Sequence, residues 1–160
     1  METWELVPFK SVGPIRFFDT REDIIKKLGK PKNFSGKCDC LTYEGFLIFL
    51  SENGRIEDFL LSPIKNIVVK YKEIHLNYLN YKKIVKTLFI QNHEIYGNFS
   101  SLPGYIDKNL GVGFITHESG FNETIELSSL QIFSQEAMPD FNDKSLCPDD
   151  ILITSEDQII

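Results

Sequence analysis

The chain has 160 residues, of which 42% are hydrophobic and 25% charged, a composition typical of one globular domain and unlike that of a disordered or fibrous chain. Its 17 Lys and Arg against 23 Asp and Glu give a formal net charge of −6, which argues against a nucleic-acid partner because phosphate contacts need a basic surface. No segment approaches the roughly 20 apolar residues of a membrane-spanning helix, so we expect no membrane partner.

The first residues and the cysteines both favour a cytoplasmic protein. Residues 1–5 include two acids, whereas a secretory signal begins with basic residues followed by an apolar stretch. The number of cysteines is three, and an odd number argues against a disulfide framework in a domain of this size. We therefore expect a cytoplasmic location with reduced thiols.

The first half of the chain predicts a strand, a helix and three more strands. Residues 15–18 contain one Ile and two Phe, side chains typical of a strand. Thr20 and Asp23 fit a capping box, and apolar residues follow at helical spacing until Gly29 ends the predicted helix. Gly54, preceded by Asn, predicts a tight hairpin turn between the last two strands. The strand-like runs are residues 38–43, 45–50 and 55–61.

The second half repeats this order of elements. Residues 73–76 match the first strand, and Asn80 is the predicted cap of the second helix. A looser region around residues 97–104 precedes the remaining strand-like runs, at residues 111–115, 124–127 and 130–133. We predict an α+β fold in which two β-α-β-β-β repeats, at about residues 12–64 and 71–134, form antiparallel sheet with the helices packed on one face.

An acidic C-terminal segment, residues 135–160, follows the predicted domain of residues 1–134. It holds seven acids and one base, so it accounts for the whole net charge of the chain. Residues 151–154 predict a short strand within it. Two interpretations stay open: a solvated segment that keeps the protein soluble, or an acidic arm that attracts a basic partner.

No residue pattern indicates catalysis or a bound cofactor. The chain contains neither a Gly-x-Ser-x-Gly nucleophile motif nor a glycine-rich phosphate-binding loop ending in Lys. The residues that could in principle hold a metal ion are Cys38, Cys40, His75, His93 and His117, whereas Cys147 lies in the acidic tail and is interpreted as an exposed thiol. The Cys-x-Cys spacing has no second pair of the kind that completes structural zinc sites, so we interpret both cysteines as partly buried thiols. We predict a non-enzymatic protein without catalytic residues, metal or cofactor.

The strands of the first half are apolar on both faces, which predicts a surface that binds another protein. Within residues 46–50, Leu47 and Phe49 lie on one face of the strand and the other apolar side chains lie on the opposite face. A helix can cover only one of these faces. The acidic tail, the second repeat, another copy of the chain or a different protein could cover the second face. Aromatic anchors beside acids suit an interface. The predicted partner-binding residues are Tyr43, Leu47, Phe49, Phe59, Tyr105, Asp149 and Asp150.

A family resemblance rests on residues 12–17, 19–31 and 45–58. Their order of strand, short turn, amphipathic helix, Leu-Gly-x-Pro and hairpin resembles the tandem β-α-β-β-β proteins typified by β-lactamase inhibitor proteins and small outer-membrane assembly lipoproteins. It is also similar to small bacterial immunity proteins encoded beside secreted toxins. The second half lacks this Leu-Gly-x-Pro ending and has residues 88–91 at the equivalent position. The resemblance implies a scaffold that binds proteins.

These observations lead to one functional prediction and two alternatives. We predict a bacterial cytoplasmic immunity or inhibitor-type protein, a monomer or homodimer, that neutralises a toxin by occluding it. A basic target such as a nuclease would suit its acidic character. The first alternative is a self-associating structural or adaptor domain. The second is a small hydrolase that uses His117 and nearby carboxylates.

Overall fold

The computed structural model of the chain describes residues 1–34, 39–63, 66–98, 104–116, 127–142 and 150–159. The elements of the first half are β1 Glu2–Val7, β2 Ser11–Val12, β3 Ile15–Arg16, α1 Arg21–Leu28, β4 Asn33–Phe34, β5 Cys40–Tyr43, β6 Phe46–Leu50 and β7 Ile56–Leu61. Those of the second half are β8 Ile67–Tyr71, β9 Ile74–His75, α2 Tyr81–Ile90, β10 Ile95–Asn98, β11 Gly104–Asp107, β12 Val112–Thr116, β13 Leu127–Phe133 and β14 Asp150–Leu152. A short 3-10 helix, Glu156–Gln158, follows.

The strands form two sheets. Nine antiparallel strands lie in the order β14-β10-β11-β12-β13-β7-β6-β5-β4, so the sheet passes from the second half of the chain to the first where β13 pairs with β7. Five short strands lie in the order β3-β2-β1-β8-β9, with β1 and β8 parallel. Together with the two helices these sheets make a fold of the α+β class.

Local sequence explains how the first helix begins and ends. The Thr20 hydroxyl accepts a hydrogen bond from the Asp23 amide at 3.2 Å, and the Asp23 carboxylate accepts one from the Thr20 amide at 3.0 Å. The capping box is therefore confirmed, and the helix ends at Gly29 as predicted. Asn80 occupies the N-cap position of α2, but its side chain makes no capping hydrogen bond.

The nine-stranded sheet has an inner face, which carries Phe59, and an outer face, which carries Leu60. Register puts Ile48, Phe59 and Ile132 side by side on the inner face, and all three are fully buried. Buried side chains of both helices, including Leu88, belong to the same hydrophobic core. Both helices therefore pack on the inner face, and no helix in the described ranges covers the outer face.

Strands also lie where the sequence patterns indicated none. The stretch between the two predicted repeats holds most of β8, which pairs in parallel with β1 from Glu2↔Ile67 to Glu5↔Lys70. The region around residues 97–104, predicted as loose, holds parts of the β10–β11 hairpin. These strands were missed because their partners lie far along the chain or their segments contain Gly and Pro. The predicted strand at residues 124–127 lies, except for Leu127, outside the described residues.

The C-terminal segment folds back onto the sheet. Phe141, 4% exposed, stacks on Tyr96 with ring centroids 4.0 Å apart. β14 extends the sheet beside β10, and Ile159 is buried in the core. Among the described residues, no helix has the length and apolar character needed to cross a membrane.

Candidate functional site

The candidate site is an apolar strip on the outer face of β6, β7 and β12. Leu47 lies opposite Leu60, and Phe49 lies opposite Asp58 in the next cross-strand pair. Ile115 lies on the same face two strands away. All four apolar side chains are half-buried rather than covered. We call Leu47, Phe49, Leu60 and Ile115 the outer patch.

A shallow depression of about 410 Å³ runs along this patch. Its lining combines three apolar side chains with polar side chains and two acids. The lining residues are Phe49, Glu57, Asp58, Leu60, Ile115, Thr116, Ser128, Ser129 and Gln131. Protein–protein interfaces likewise combine apolar side chains with polar ones.

The two acids give the depression a negative charge that no described base neutralises. Glu57 is exposed, and neither it nor Asp58 forms an ion pair with a described residue. Gln131 Nε2 donates a hydrogen bond of 2.7 Å to Asp58 Oδ2. Burial raises the pKa of Asp58, because desolvation disfavours the carboxylate. A basic group of a partner would therefore find two carboxylates that are not ion-paired with any described residue, beside an apolar strip.

The sequence prediction correctly placed Leu47 and Phe49 on the outer face but misplaced Phe59. A bulge between Phe49 and Leu50 pairs Leu50 with Ile56. Side chains at the start of β7 therefore do not alternate strictly between the two faces of the sheet. Phe59 consequently faces inward at 0% exposure and cannot contact a partner.

The two predicted tyrosines also belong to the inner side of the sheet. Tyr43 stacks on Phe46 at 5.1 Å, and its hydroxyl donates a 2.9 Å hydrogen bond to the Gly29 carbonyl. Tyr105 is 3% exposed, and its hydroxyl donates to the carbonyl of Gln158. Both rings are therefore engaged within the molecule, and Tyr105 is excluded as an exposed interface residue.

The predicted acidic positions of the tail are not joined to the outer patch. Asp149 lies outside the described residues, and Asp150 begins β14 at the far edge of the nine-stranded sheet. Strand register puts Tyr96 on the outer face, where Phe141 covers it. The described part of the tail therefore covers the β10 end of the outer face and does not reach the β6–β7 end.

A buried histidine–carboxylate pair escaped the sequence analysis. His93 Nδ1 lies 2.6 Å from Asp107 Oδ2, and the Asp107 side chain is fully buried. Asp107 Oδ1 also accepts a 3.0 Å hydrogen bond from the Leu110 amide at the β11–β12 turn. Pairing of Ile95 with Asp107 brings the histidine to the carboxylate, so the strand register was the missing signal. The pair holds the turn that leads into β12.

We expect that Asp107→Asn keeps the free energy of unfolding at neutral pH within about 1 kcal/mol of the wild-type value, because an amide can satisfy both neighbours. Asp107→Ala should lose about 1–3 kcal/mol, since the Leu110 amide then has no acceptor. Burial raises the pKa of Asp107 above its ordinary 3.8. The folded state therefore binds more protons than the unfolded state. As pH rises from the ordinary pKa to the raised pKa of Asp107, the free energy of unfolding of wild type should fall relative to that of Asp107→Asn. Urea unfolding from pH 4 to 8 measures this difference. If the free energy of unfolding of Asp107→Asn at neutral pH were lower than that of wild type by more than about 2 kcal/mol, the amide would not be an adequate replacement for the carboxylate.

The metal-ligating residue types are dispersed in the part of the chain that the structure describes. Cys40 is buried on the outer side of β5, His75 is exposed on β9, and His93 pairs with Asp107. No three His, Cys, Asp or Glu side chains within the described ranges are close enough to hold a metal ion. Cys38 and His117 lie outside those ranges.

Comparisons of the chain with protein-family models, with curated proteins and with solved structures find no match. The outer patch, with its two carboxylates, is therefore the feature from which a function can be inferred.

Proposed function

We propose that this chain is an immunity-type inhibitor that binds a basic toxin in the bacterial cytoplasm and neutralises it by occlusion. The observation that carries the proposal is the outer patch, a half-buried apolar strip that no described helix covers, with Glu57 and Asp58 beside it. An inhibitor of this kind needs no catalytic group of its own, because covering the active site or substrate path of the partner is sufficient. Its requirements are a rigid surface, apolar anchors and complementary charge.

The outer patch meets these requirements. Leu47, Phe49 and Leu60 are held on two paired strands at the centre of the sheet, so little conformational entropy is lost when they bind. Glu57 and Asp58 favour approach of a positively charged partner and disfavour an acidic one. A nuclease, whose own surface attracts nucleic acid, has the required charge.

We further propose that the scaffold consists of two copies of one unit, each a hairpin, a helix and four antiparallel strands. Two turns support this interpretation. Gly13 and Lys72 both have positive φ, 57° and 52°, in the hairpins that precede the helices. The returning strands then close with equivalent hydrogen bonds, Phe17 amide to Lys10 carbonyl at 2.9 Å and Leu76 amide to Val69 carbonyl at 2.8 Å.

The glycines that open β6 and β12 support the same interpretation. Gly45 and Gly111 both have positive φ and both accept a hydrogen bond from the strand that follows the next turn. The donors are the Ser62 amide at 2.9 Å and the Phe133 amide at 2.8 Å. Each proposed unit has four strands after its helix, one more than the β-α-β-β-β pattern predicted from the sequence.

The proposed function is tested by capturing partners with three versions of the tagged protein from the source cells. We expect wild type to capture one stoichiometric basic protein, and Leu47→Asp/Phe49→Asp to lose it with an affinity at least about 30-fold lower. The control is Ile90→Asp, which puts an acidic side chain on an exposed apolar residue at the end of α2, on the other side of the sheet. It should bind like wild type.

The identified partner is then purified and assayed for toxicity and enzymatic activity with and without the inhibitor. Neutralisation by wild type and by Ile90→Asp, but not by Leu47→Asp/Phe49→Asp, supports the proposal. Equal binding by all three variants would mean that the outer patch is not the interface. Sedimentation equilibrium that finds a dimer dissociated by the patch substitutions, with no foreign partner, would instead favour the self-associating domain.

A further inference from the structure

A second concave site, the basic cleft, lies where the β1–β2 turn and β3 face the β6–β7 turn and the segment after β13. Its volume is about 870 Å³, within the roughly 300–1,000 Å³ typical of small-molecule sites. The residues that line it are Val7, Phe9, Lys10, Ser11, Arg16, Phe17, Phe18, Arg55, Ile56, Ser134, Gln135 and Glu136. None of them lines the depression at the outer patch.

The charge of the basic cleft is opposite to that of the whole protein. Lys10, Arg16 and Arg55 line it together with a single acid, Glu136. Glu136 is paired with Arg55 at 2.9 Å, whereas Lys10 and Arg16 form no ion pair with a described residue. A net positive cleft on a chain of net charge −6 is selective for a negative group.

Much of the remaining surface of the basic cleft is apolar, and most of the apolar side chains are aromatic. Phe18 is 74% exposed, and the Arg16 guanidinium lies 5.7 Å from the centre of its ring. Phe17 lines the cleft while its ring packs edge-on against buried Phe59 at 5.7 Å, which fixes its position. Val7 adds an aliphatic wall at 41% exposure. Flat apolar surfaces beside a guanidinium suit a planar ring that carries a negative charge.

The backbone at the cleft is held in an unfavourable conformation. Phe9 has a φ of 59°, a region that non-glycine residues rarely occupy and that is often found at functional sites. Its ring packs directly over Gly111, where a β-carbon would lie 2.5 Å from Phe9 Cε1. The core therefore supports the strained turn that presents Lys10 to the cleft.

We propose that the basic cleft binds a small organic acid whose carboxylate is carried on a planar aromatic body. The guanidinium of Arg16 and the ammonium of Lys10 receive the carboxylate, and the rings of Phe17 and Phe18 receive the aromatic body. This site is separate from the outer patch, so its occupation does not depend on the proposed protein partner.

The test uses naphthalene-2-carboxylate as the probe and two-dimensional NMR of the full chain as the readout. We expect amide shifts confined to residues 7–11, 16–18, 55–56 and 134–136, with an affinity that falls as salt is raised. Arg16→Gln and Lys10→Gln should each weaken binding about five- to tenfold. The matched control, Lys32→Gln, removes an exposed lysine paired only with Glu44 at 3.5 Å and should leave the affinity unchanged.

Neutral 2-naphthylmethanol separates charge recognition from adsorption of an aromatic ring. Binding at least about tenfold weaker than that of the carboxylate supports the proposal. Equal affinity of the two probes, shifts centred outside the cleft, or no binding of the carboxylate at millimolar concentration overturns it. Concentration-dependent shifts of the same amides without any probe also overturn it, because they would identify the cleft as a contact between copies of the chain.

Discussion

Phe59→Ala is expected to lower the free energy of unfolding by about 3–5 kcal/mol. Phe59 is fully buried between Ile48 on β6 and Ile132 on β13, at the strand pair that joins the two halves of the sheet. Truncation removes the edge-on contact with Phe17 and leaves a cavity that neighbours on regular strands cannot fill. Urea unfolding followed by the fluorescence of Trp4, the one tryptophan of the chain and itself buried, measures the loss.

Leu60→Ala is the matched control, one residue further along the same strand. Leu60 is half-buried on the outer face, so its truncation should lower the free energy of unfolding by about 1 kcal/mol. Leu60→Ala should instead weaken binding of the proposed partner. Phe59→Ala molecules that remain folded should bind the partner like wild type. A similar loss of stability for both variants would show that the outer face is covered in solution.

Features set by neighbouring residues were predictable from the sequence. The capping box of Thr20 and Asp23 needs only the first turn of a helix, and both of its hydrogen bonds form. The turn at Gly54 likewise closes within a few residues, since the Ser51 amide donates to the Arg55 carbonyl at 2.7 Å. Such contacts depend on local geometry and little else.

Features set by distant residues were not predictable in the same way. The parallel pairing of β1 with β8 joins Trp4 to Val69, and nothing within either segment specifies the other. The bulge at Leu50 reverses the side chain direction expected for the start of β7, so Phe59 was assigned to the wrong face. The approach of His93 to Asp107 required the β10–β11 register.

The candidate site was therefore predicted only where alternation is unbroken. β6 alternates regularly, so Leu47 and Phe49 emerge on the open face as predicted. Leu60 and Ile115 join them through cross-strand pairing, which one strand alone does not reveal. The acids at this surface are also different from the predicted ones. Glu57 and Asp58 of β7 lie beside it, whereas Asp150 begins a distant edge strand.

Gly111→Ala is expected to lower the free energy of unfolding by about 2–5 kcal/mol, the sum of a backbone and a packing contribution. With φ at 68°, an L residue there costs about 1–2 kcal/mol. The new methyl would also lie 2.5 Å from Phe9 Cε1, and overpacking of this kind costs about 1–3 kcal/mol. Gly45→Ala, at φ 85° with nothing within 4 Å of the new methyl, should show only the backbone contribution.

The packing contribution is isolated by combining Gly111→Ala with Phe9→Ala. If the Phe9 ring is the obstacle, the double variant should be less destabilised than the sum of the single variants, by about 1–3 kcal/mol of coupling. Combining Gly45→Ala with Phe9→Ala should give simple additivity, since no contact joins those residues. Additivity in both pairs would contradict the packing of Phe9 on Gly111. Coupling only with Gly111 would show that β12 supports the strained turn, and through it the position of Lys10 in the basic cleft.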